Sequence, residues 1–279
     1  KNKSCKNSMK KFYVIGNPIN KSLSPLIFNY WFRLYKMDCR YEKKLIQKKT
    51  LEKTASKLIR SKDFFGLNIT APFKNKLSKI VDQETRHAKT IGAINCIYKK
   101  NGKIIGTNTD WLGFSKSLKH QIKKIKKKNA SIIGFGGAAK AIIHALERDG
   151  FKKISIFVRK PKKITPFLKR KKNISCFDIR HINKNARKID LLINSTTTSV
   201  LSDLKINVGL LKKNCVVSDI NYVPHETDLI KKAKSKKLKT AYGIYMLLFQ
   251  AVPAFNHWFG FSPKVNKELV EMCKTKATK

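Results

Sequence analysis

Two groups of residues in this sequence have types and spacings that could do chemistry. The first is Ser131-Ile132-Ile133-Gly134-Phe135-Gly136-Gly137-Ala138-Ala139, where small residues at 134, 136 and 139 follow a short apolar run and match G-x-G-x-x-A. In a strand-turn-helix context the first glycine makes the tight turn and the second lets a pyrophosphate approach the backbone. Ala139 then allows close helix packing, and the helix N-terminus faces the anion. We read Gly134, Phe135, Gly136, Gly137 and Ala138 as dinucleotide-binding, with a purely structural strand-to-helix turn as the plainer alternative. NAD sites place an Asp or Glu at the end of the next strand, about 20 residues on. Here the stretch Val158-Arg159-Lys160-Pro161-Lys162-Lys163 has no acid. A carboxylate repels a 2′-phosphate, whereas a guanidinium grips it in a bidentate fork, so Arg159 with Lys160 predicts NADP.

The second group is a set of polar residues at the ends of expected strands: Ser22 and Ser24, then Asn68, Thr70 and Lys74, then Asn95, then Asp110. Hydroxyls, amides, one amine and one carboxylate together suit a small polyhydroxylated ligand. Each has a structural reading when taken alone: Ser24 as a helix cap, Asn95 as a hairpin residue, Asp110 as the N-cap of a helix from Trp111.

Apolar strand-like runs alternate with helical patterns nearly throughout, the sequence form of a parallel sheet flanked by helices. Strands are expected at 12–15, 65–70, 95–98 and 103–107, the last two joined across Lys100-Asn101-Gly102. Ser24-Pro25 opens a helix. A second set follows, with strands at 130–133, 154–158, 190–194 and 215–219 and a helix over 138–148. The lysine-rich run 116–128 keeps Leu118, Ile122 and Ile125 at helical spacing and reads as a solvated helix face. Residues 160–173 read as a loop or irregular helix start. The apolar stretch 244–261, interrupted by Gln250, Pro253, Asn256 and His257, reads as a buried helix and not a membrane span. The expected fold class is α/β with two domains: an N-terminal α/β domain over 1–109 and a Rossmann-type dinucleotide domain over 110–242, with C-terminal helices over 243–279 returning to the first domain.

At 279 residues and 42% hydrophobic, the chain is long and apolar enough for packed cores despite 62 Lys plus Arg against 17 Asp plus Glu. A charge of +45 would ordinarily suggest a polyanionic partner. The lysines are spread over every segment, however, and no aromatic-rich RNA motif or zinc-finger spacing accompanies them, so nucleic acid is not the expected partner. Six cysteines without a C-x-x-C pair fit a reduced cytoplasmic setting, with no metal and no membrane. The expected assembly is a monomer or homodimer.

Taken in order, Ser22-Leu23-Ser24-Pro25, the N-I-T-x-P-x-K run from Asn68 to Lys74, Gly92-Ala93-Ile94-Asn95, Asn108-Thr109-Asp110, the glycine turn, Asn194-Ser195-Thr196, Asp219-Ile220-Asn221-Tyr222-Val223-Pro224 and a late G-x-x-M-L-x-x-Q-A from Gly243 to Ala251 resemble the shikimate dehydrogenase family. The resemblance runs from about residue 12 to 260. It implies NADPH-dependent, reversible reduction of 3-dehydroshikimate to shikimate. Carried over position by position, it makes Lys74 and Asp110 the catalytic pair. Ser22, Leu23, Ser24, Thr70, Lys74, Asn95, Asp110, Tyr222 and Gln250 become the substrate contacts, and Ile220 and Gly243 join the glycine turn, Arg159 and Lys160 on the cofactor. The chemistry agrees: hydride delivery turns a ketone into an alkoxide, which needs a proton donor in reach, and an ammonium oriented by a carboxylate can serve. The sequence departs from the family at Val158-Arg159-Lys160, where N-R-T is common, and at Thr198-Ser199-Val200, where G-M is usual. The alternatives are a quinate/shikimate dehydrogenase using NAD and a non-catalytic basic dinucleotide- or nucleic-acid-binding module.

Overall fold

The computed structural model describes residues 9–168, 171–197 and 206–278. The Thr198-Ser199-Val200 departure lies outside the described residues. The chain divides into two compact units. One runs up to Thr109 and takes in Ala251–Leu269, and the other comprises Asp110–Gln250 and the chain from Val270 on.

The first unit holds β1 (Lys10–Gly16), α1 (Ser24–Leu34), β2 (Cys39–Leu45), α2 (Leu51–Ile59), β3 (Phe64–Ile69), β4 (Gln83–Glu84), α3 (Arg86–Ile91), β5 (Cys96–Lys100) and β6 (Lys103–Thr107). Its sheet runs β2-β1-β3-β5-β6-β4. β2, β1 and β3 are parallel, while β5 runs antiparallel to both β3 and β6, so the sheet is mixed. The expected hairpin is present, with Asn101 (φ 50) and Gly102 (φ 73) both left-handed, as a two-residue turn of the I′ type requires. Strand β2 carried no sequence signal because CRYEKKL is an edge strand whose outward positions are charged, which blunts pairing with other chains.

The second unit holds α4 (Asp110–Gln121), β7 (Asn129–Ile133), α5 (Gly137–Arg148), β8 (Lys153–Val158), β9 (Ile174–Asp178), β10 (Leu191–Asn194), β11 (Val216–Asp219), α6 (Asp228–Ser235), β12 (Lys239–Tyr242), the long α7 (Gly243–Phe259) and α8 (Lys267–Thr278). Its strands run β12-β11-β10-β7-β8-β9, and every pair is parallel. This is the doubly wound order with its reversal between β7 and β10.

Two expectations need correcting. The helix over 116–128 stops at Gln121. The chain beyond it is an extended lead-in to β7, and the Lys127 and Lys128 carbonyls accept from Lys152 N and Lys153 N at 3.0 and 2.8 Å. Pairing outweighs the helical spacing there. The stretch from 243 onward does not go to the first unit as a block. Gly243–Gln250 stay with the second, where His120 packs against the rings of Tyr245 and Phe249, and α8 from Val270 is held there by His225 N on the Ala277 carbonyl. Among the described residues no helix is long and apolar enough to cross a membrane.

The later turns of α7 complete the core of the first unit. The indole of Trp258 lies 4.9 Å, centroid to centroid, from both Phe12 and Phe28, and its Nε1 donates to the Ile97 carbonyl at 3.2 Å. The indole fills the space over Gly66 in β3, where a Cβ would fall 2.5 Å from its Nε1. Gly66→Ala therefore forces the indole out of its slot and is expected to lower stability by about 1–3 kcal/mol in urea unfolding. An unchanged midpoint would show that the slot yields at no cost.

Candidate active site

The polar residues of the first unit gather at one edge of its sheet. Ser22 and Ser24 follow β1, Thr70 and Lys74 follow β3, Asn95 precedes β5, and Asn108 follows β6. The pairings of β1 with β3, β3 with β5 and β5 with β6 bring these ends together. Ser24 is the first residue of α1 and not its cap. Its N–H is accepted by Ser22 Oγ at 3.4 Å, while its own side chain is buried. Thr70 N donates to the Ile15 carbonyl at 2.9 Å, and the Lys74 carbonyl accepts from Ile94 N at 2.6 Å. The lysine turn is thereby locked to the Gly92–Asn95 segment, with Phe73 buried beneath it.

A relay of buried amides underlies this edge. Tyr41 Oη donates to Asn68 Oδ1 at 2.8 Å, and Asn68 Nδ2 donates to the Asn95 carbonyl at 3.1 Å. Asn95 Oδ1 accepts Thr109 N at 2.7 Å, while its Nδ2 donates to Thr109 Oγ1 at 2.9 Å. Asn108 Nδ2 returns to the Ala93 carbonyl at 2.9 Å. The G-A-I-N and N-T-D motifs are thus one hydrogen-bonded piece, and it fixes the backbone immediately before Asp110. Asp110 is the first residue of α4 and is buried.

In the second unit Gly113, one turn after Asp110, leaves no room for a side chain: a Cβ there would fall 2.5 Å from Gln250 Cβ. α4 and α7 meet at this point, which puts Gln250 against the face of α4 that carries Asp110. Gln121, unremarked in the sequence, holds β12 by accepting Tyr242 N at 2.8 Å and donating to the Tyr242 carbonyl at 3.2 Å.

The residues expected from the sequence to hold the cofactor lie along the carboxyl edge of the parallel sheet. Gly134 has φ +97, and a Cβ on it would meet Thr196 Cγ2 and Ser195 Oγ, so the turns after β7 and β10 are in contact at the strand-order reversal. Gly136 caps α5 in an extended conformation and is exposed, with open space where its Cβ would stand. That opening at a helix N-terminus fits the approach of a pyrophosphate. Arg159 follows β8 directly, beside the glycine turn, since Gly134 N donates to the Phe157 carbonyl at 2.9 Å. Arg159 and Lys160 are exposed and pair with no acid among the described residues. Gly243 differs from Gly136. Its missing side chain makes room for the Ile220 and Asn221 carbonyls, so it serves close packing of the turn that carries Ile220 and Tyr222.

Asp219, at the end of β11, is fully buried and gathers these turns. Its Oδ1 accepts Asn194 Nδ2 at 3.0 Å, Asn221 N at 3.0 Å and Asn221 Nδ2 at 2.8 Å, and its Oδ2 accepts Thr227 Oγ1 at 2.8 Å. Asn221 Nδ2 also reaches the Thr196 carbonyl, and Asn194 Oδ1 accepts both Thr196 N and Thr196 Oγ1. Burial pushes the carboxyl of Asp219 above its usual range, and these donors pull it back. Among the described residues no group of three or more His, Cys, Asp or Glu side chains gathers as a metal site.

The family model for the shikimate dehydrogenase substrate binding domain matches residues 14–97, and that for shikimate / quinate 5-dehydrogenase matches 116–235. An NADP(+) shikimate dehydrogenase of Pelagibacter ubique is 36% identical over 265 residues, 94% of this chain and 98% of that relative. The chain belongs to the shikimate dehydrogenase family. The fold agrees. The shikimate dehydrogenase structure from Aquifex aeolicus matches with a TM-score of 0.85 at 33% identity, covering 96% of this chain and 98% of its own. The Thermus thermophilus enzyme, solved with NADP(H) and shikimate, matches at 0.83 and 28% identity, covering 96% of this chain and 100% of its own.

Within the family pattern, the sequence reading named the motif residues but missed Tyr41, Gln121 and Thr227. Each acts through a partner far along the chain or carries no motif of its own. Asp219 and Asn221 stood in a motif without a role. Asp219→Ala would leave the buried Asn194 and Thr227 donors and the half-buried Asn221 donors without their acceptor and should cost about 3 kcal/mol or more in urea unfolding. Asp219→Asn keeps the Oδ1 acceptor and can donate to Thr227 Oγ1, so its loss should stay below about 1.5 kcal/mol. Equal losses for the two variants would contradict the hub.

Proposed function

We propose that this protein catalyses the reversible reduction of 3-dehydroshikimate to shikimate with NADPH, a step of the shikimate pathway toward aromatic amino acids. One observation carries the reading: 36% identity to an NADP(+) shikimate dehydrogenase across 94% of this chain, with the S-x-S-P, N-I-T-x-P-x-K, G-A-I-N and N-T-D runs present in order. The net reaction consumes a ketone, NADPH and a proton and yields an alcohol and NADP.

Gly136 and the N-terminus of α5 hold the cofactor pyrophosphate, and Arg159 with Lys160 holds the 2′-phosphate. Bound NADPH supplies the hydride to the carbonyl carbon. Lys74 gives its proton to the carbonyl oxygen as that oxygen takes on negative charge, and takes it back in the oxidation direction. Asp110 orients the ammonium. Ser22 and Ser24 take the substrate carboxylate, and Thr70, Asn95, Tyr222 and Gln250 take its hydroxyls, with Leu23 against the ring. The relay through Tyr41, Asn68 and Asn95 keeps these groups from drifting, which matters because small misplacements lose rate steeply.

The enzyme works in the cytoplasm, as a monomer or homodimer. Among the described residues Cys39, Cys176, Cys215 and Cys273 are free thiols, and burial pushes Cys215 and Cys273 up to about 12, so both remain protonated.

Initial rates on shikimate and quinate with NADP and NAD test the assignment. Shikimate with NADP should be fastest, and faster turnover of quinate with NAD would replace it. Lys74→Ala should lower kcat by about a hundredfold or more with NADPH affinity nearly unchanged. Retention of most of the activity would remove Lys74 from the proton transfer. Arg159→Gln should raise the apparent constant for NADPH by about tenfold while leaving that for NADH almost unmoved, as read from initial-rate titrations.

A further inference from the structure

Lys140 stands apart among the described lysines, as one whose ammonium burial lowers below its ordinary range. It lies in the first turns of α5, its N–H bonded to the Gly136 carbonyl at 3.1 Å, and its side chain is half-buried. Helical side chains lean toward the N-terminus of their helix. That of Lys140 does so, bringing Nζ to 5.6 Å from the ring centroid of Phe135, inside the glycine turn. A cation is thus held at the positive end of a helix dipole, where charge of the opposite sign is favoured. The first turn of α5 has no acidic residue. The acid further along the helix, Glu147, is taken by Lys171 at 2.6 Å. No carboxylate among the described residues pairs with Lys140. Burial lowers the ammonium below its ordinary range, with no opposing charge to restore it.

A desolvated cation at the wrong pole of a helix, with no counter-charge of its own, is arranged for an anion that arrives from outside. The neighbours indicate which one. Gly136, four residues earlier and so on the same side of the helix, leaves open space. Phe135 packs edge-on against Phe167 at 4.9 Å, in the segment that follows Arg159. We propose that Lys140 is a phosphate-binding residue of the dinucleotide site, its ammonium the counter-charge to a cofactor phosphate. The assignment rests on the NADPH reading above. It gives the site a cation that neither the glycine turn nor the Arg159 loop supplies, in a chain whose loop lacks the amide and hydroxyl of N-R-T.

Dissociation constants for NADPH and NADH, measured by fluorescence titration on the wild type, K140M, K140R and R159Q, test it. K140M keeps the apolar stem and should weaken NADPH binding roughly tenfold to a hundredfold, with K140R close to wild type. A loss shared equally by NADPH and NADH places the ammonium on the pyrophosphate. A loss confined to NADPH places it on the 2′-phosphate beside Arg159. Without cofactor, K140M should melt at the wild-type temperature or above, because an unpaired desolvated charge has been removed. Unchanged constants for both nucleotides would overturn the proposal, as would weakened binding that K140R fails to restore in a K140M protein with a lowered cofactor-free melting temperature. A wild type that binds neither nucleotide would instead refute the cofactor reading before any variant is compared.

Discussion

The candidate site depends on one constraint: the buried relay from Tyr41 through Asn68 and Asn95 to Thr109. Each amide in it is satisfied by a partner on a different strand or loop, so no segment can shift alone without leaving a polar group unpaired in a low-dielectric interior. The Lys74 turn is tied in through the Ile94 N–H, and the backbone before Asp110 through Thr109. The second unit repeats the device with different parts. One carboxylate, Asp219, sets the turns after β10 and β11 together with the capped start of α6.

The use of amides and hydroxyls here, and not ammonium groups, is informative in a chain with 62 basic residues. A lysine beside Asp219 would have been the most available partner, and it would have offset the cost of burying the charge. An ammonium on a flexible stem gives charge without direction, whereas Asn194 and Asn221 each offer donors and an acceptor at fixed angles. Both use that capacity: Asn194 binds Asp219 on one side and Thr196 on the other, and Asn221 bridges the same two. Asp190 provides the contrast. It is paired with Lys212 at 2.7 Å and lies at the other end of the sheet, before β10, where no ligand-facing turn needs aiming.

The legible part of this structure was the part whose signal is local. The glycine turn, the Asn101-Gly102 hairpin and the apolar strands β1, β3, β7 and β8 announce themselves within a few residues. Strand β2 did not, because charges occupy its outward positions, and α4 was read too long because spacing cannot register that Lys127 and Lys128 pair with the start of β8. The residues expected to carry chemistry stood out in the sequence as types out of place at strand ends. The residues that hold them did not: Tyr41, Gln121 and Thr227 carry no motif of their own. Their roles exist only across separations such as the 27 residues between Tyr41 and Asn68 or the 121 between Gln121 and Tyr242. Asn95 sits on both sides of this line, since its motif marked it as a ligand contact while its amide also clamps Thr109.

Net charge illustrates why position outranks count. The exposed lysines form a diffuse positive field that can draw in an anionic cofactor and an anionic substrate alike, and salt screens such a field within about 8–10 Å. A field of that kind raises encounter rates without telling one phosphate from another. Discrimination needs cations whose hydration has been partly removed and whose stems are held, since only those trade water for the ligand on fixed terms. By that criterion nearly all the lysines here are equivalent, and Lys140, half-buried over Phe135 at the mouth of α5, is set apart by its surroundings. Lys74 is set apart by another means. The backbone on which it stands is anchored by Phe73 and by the Ile94 N–H, so the amine is presented from a rigid base. The two lysines differ from the rest in what confines them, which is the property that a composition cannot express.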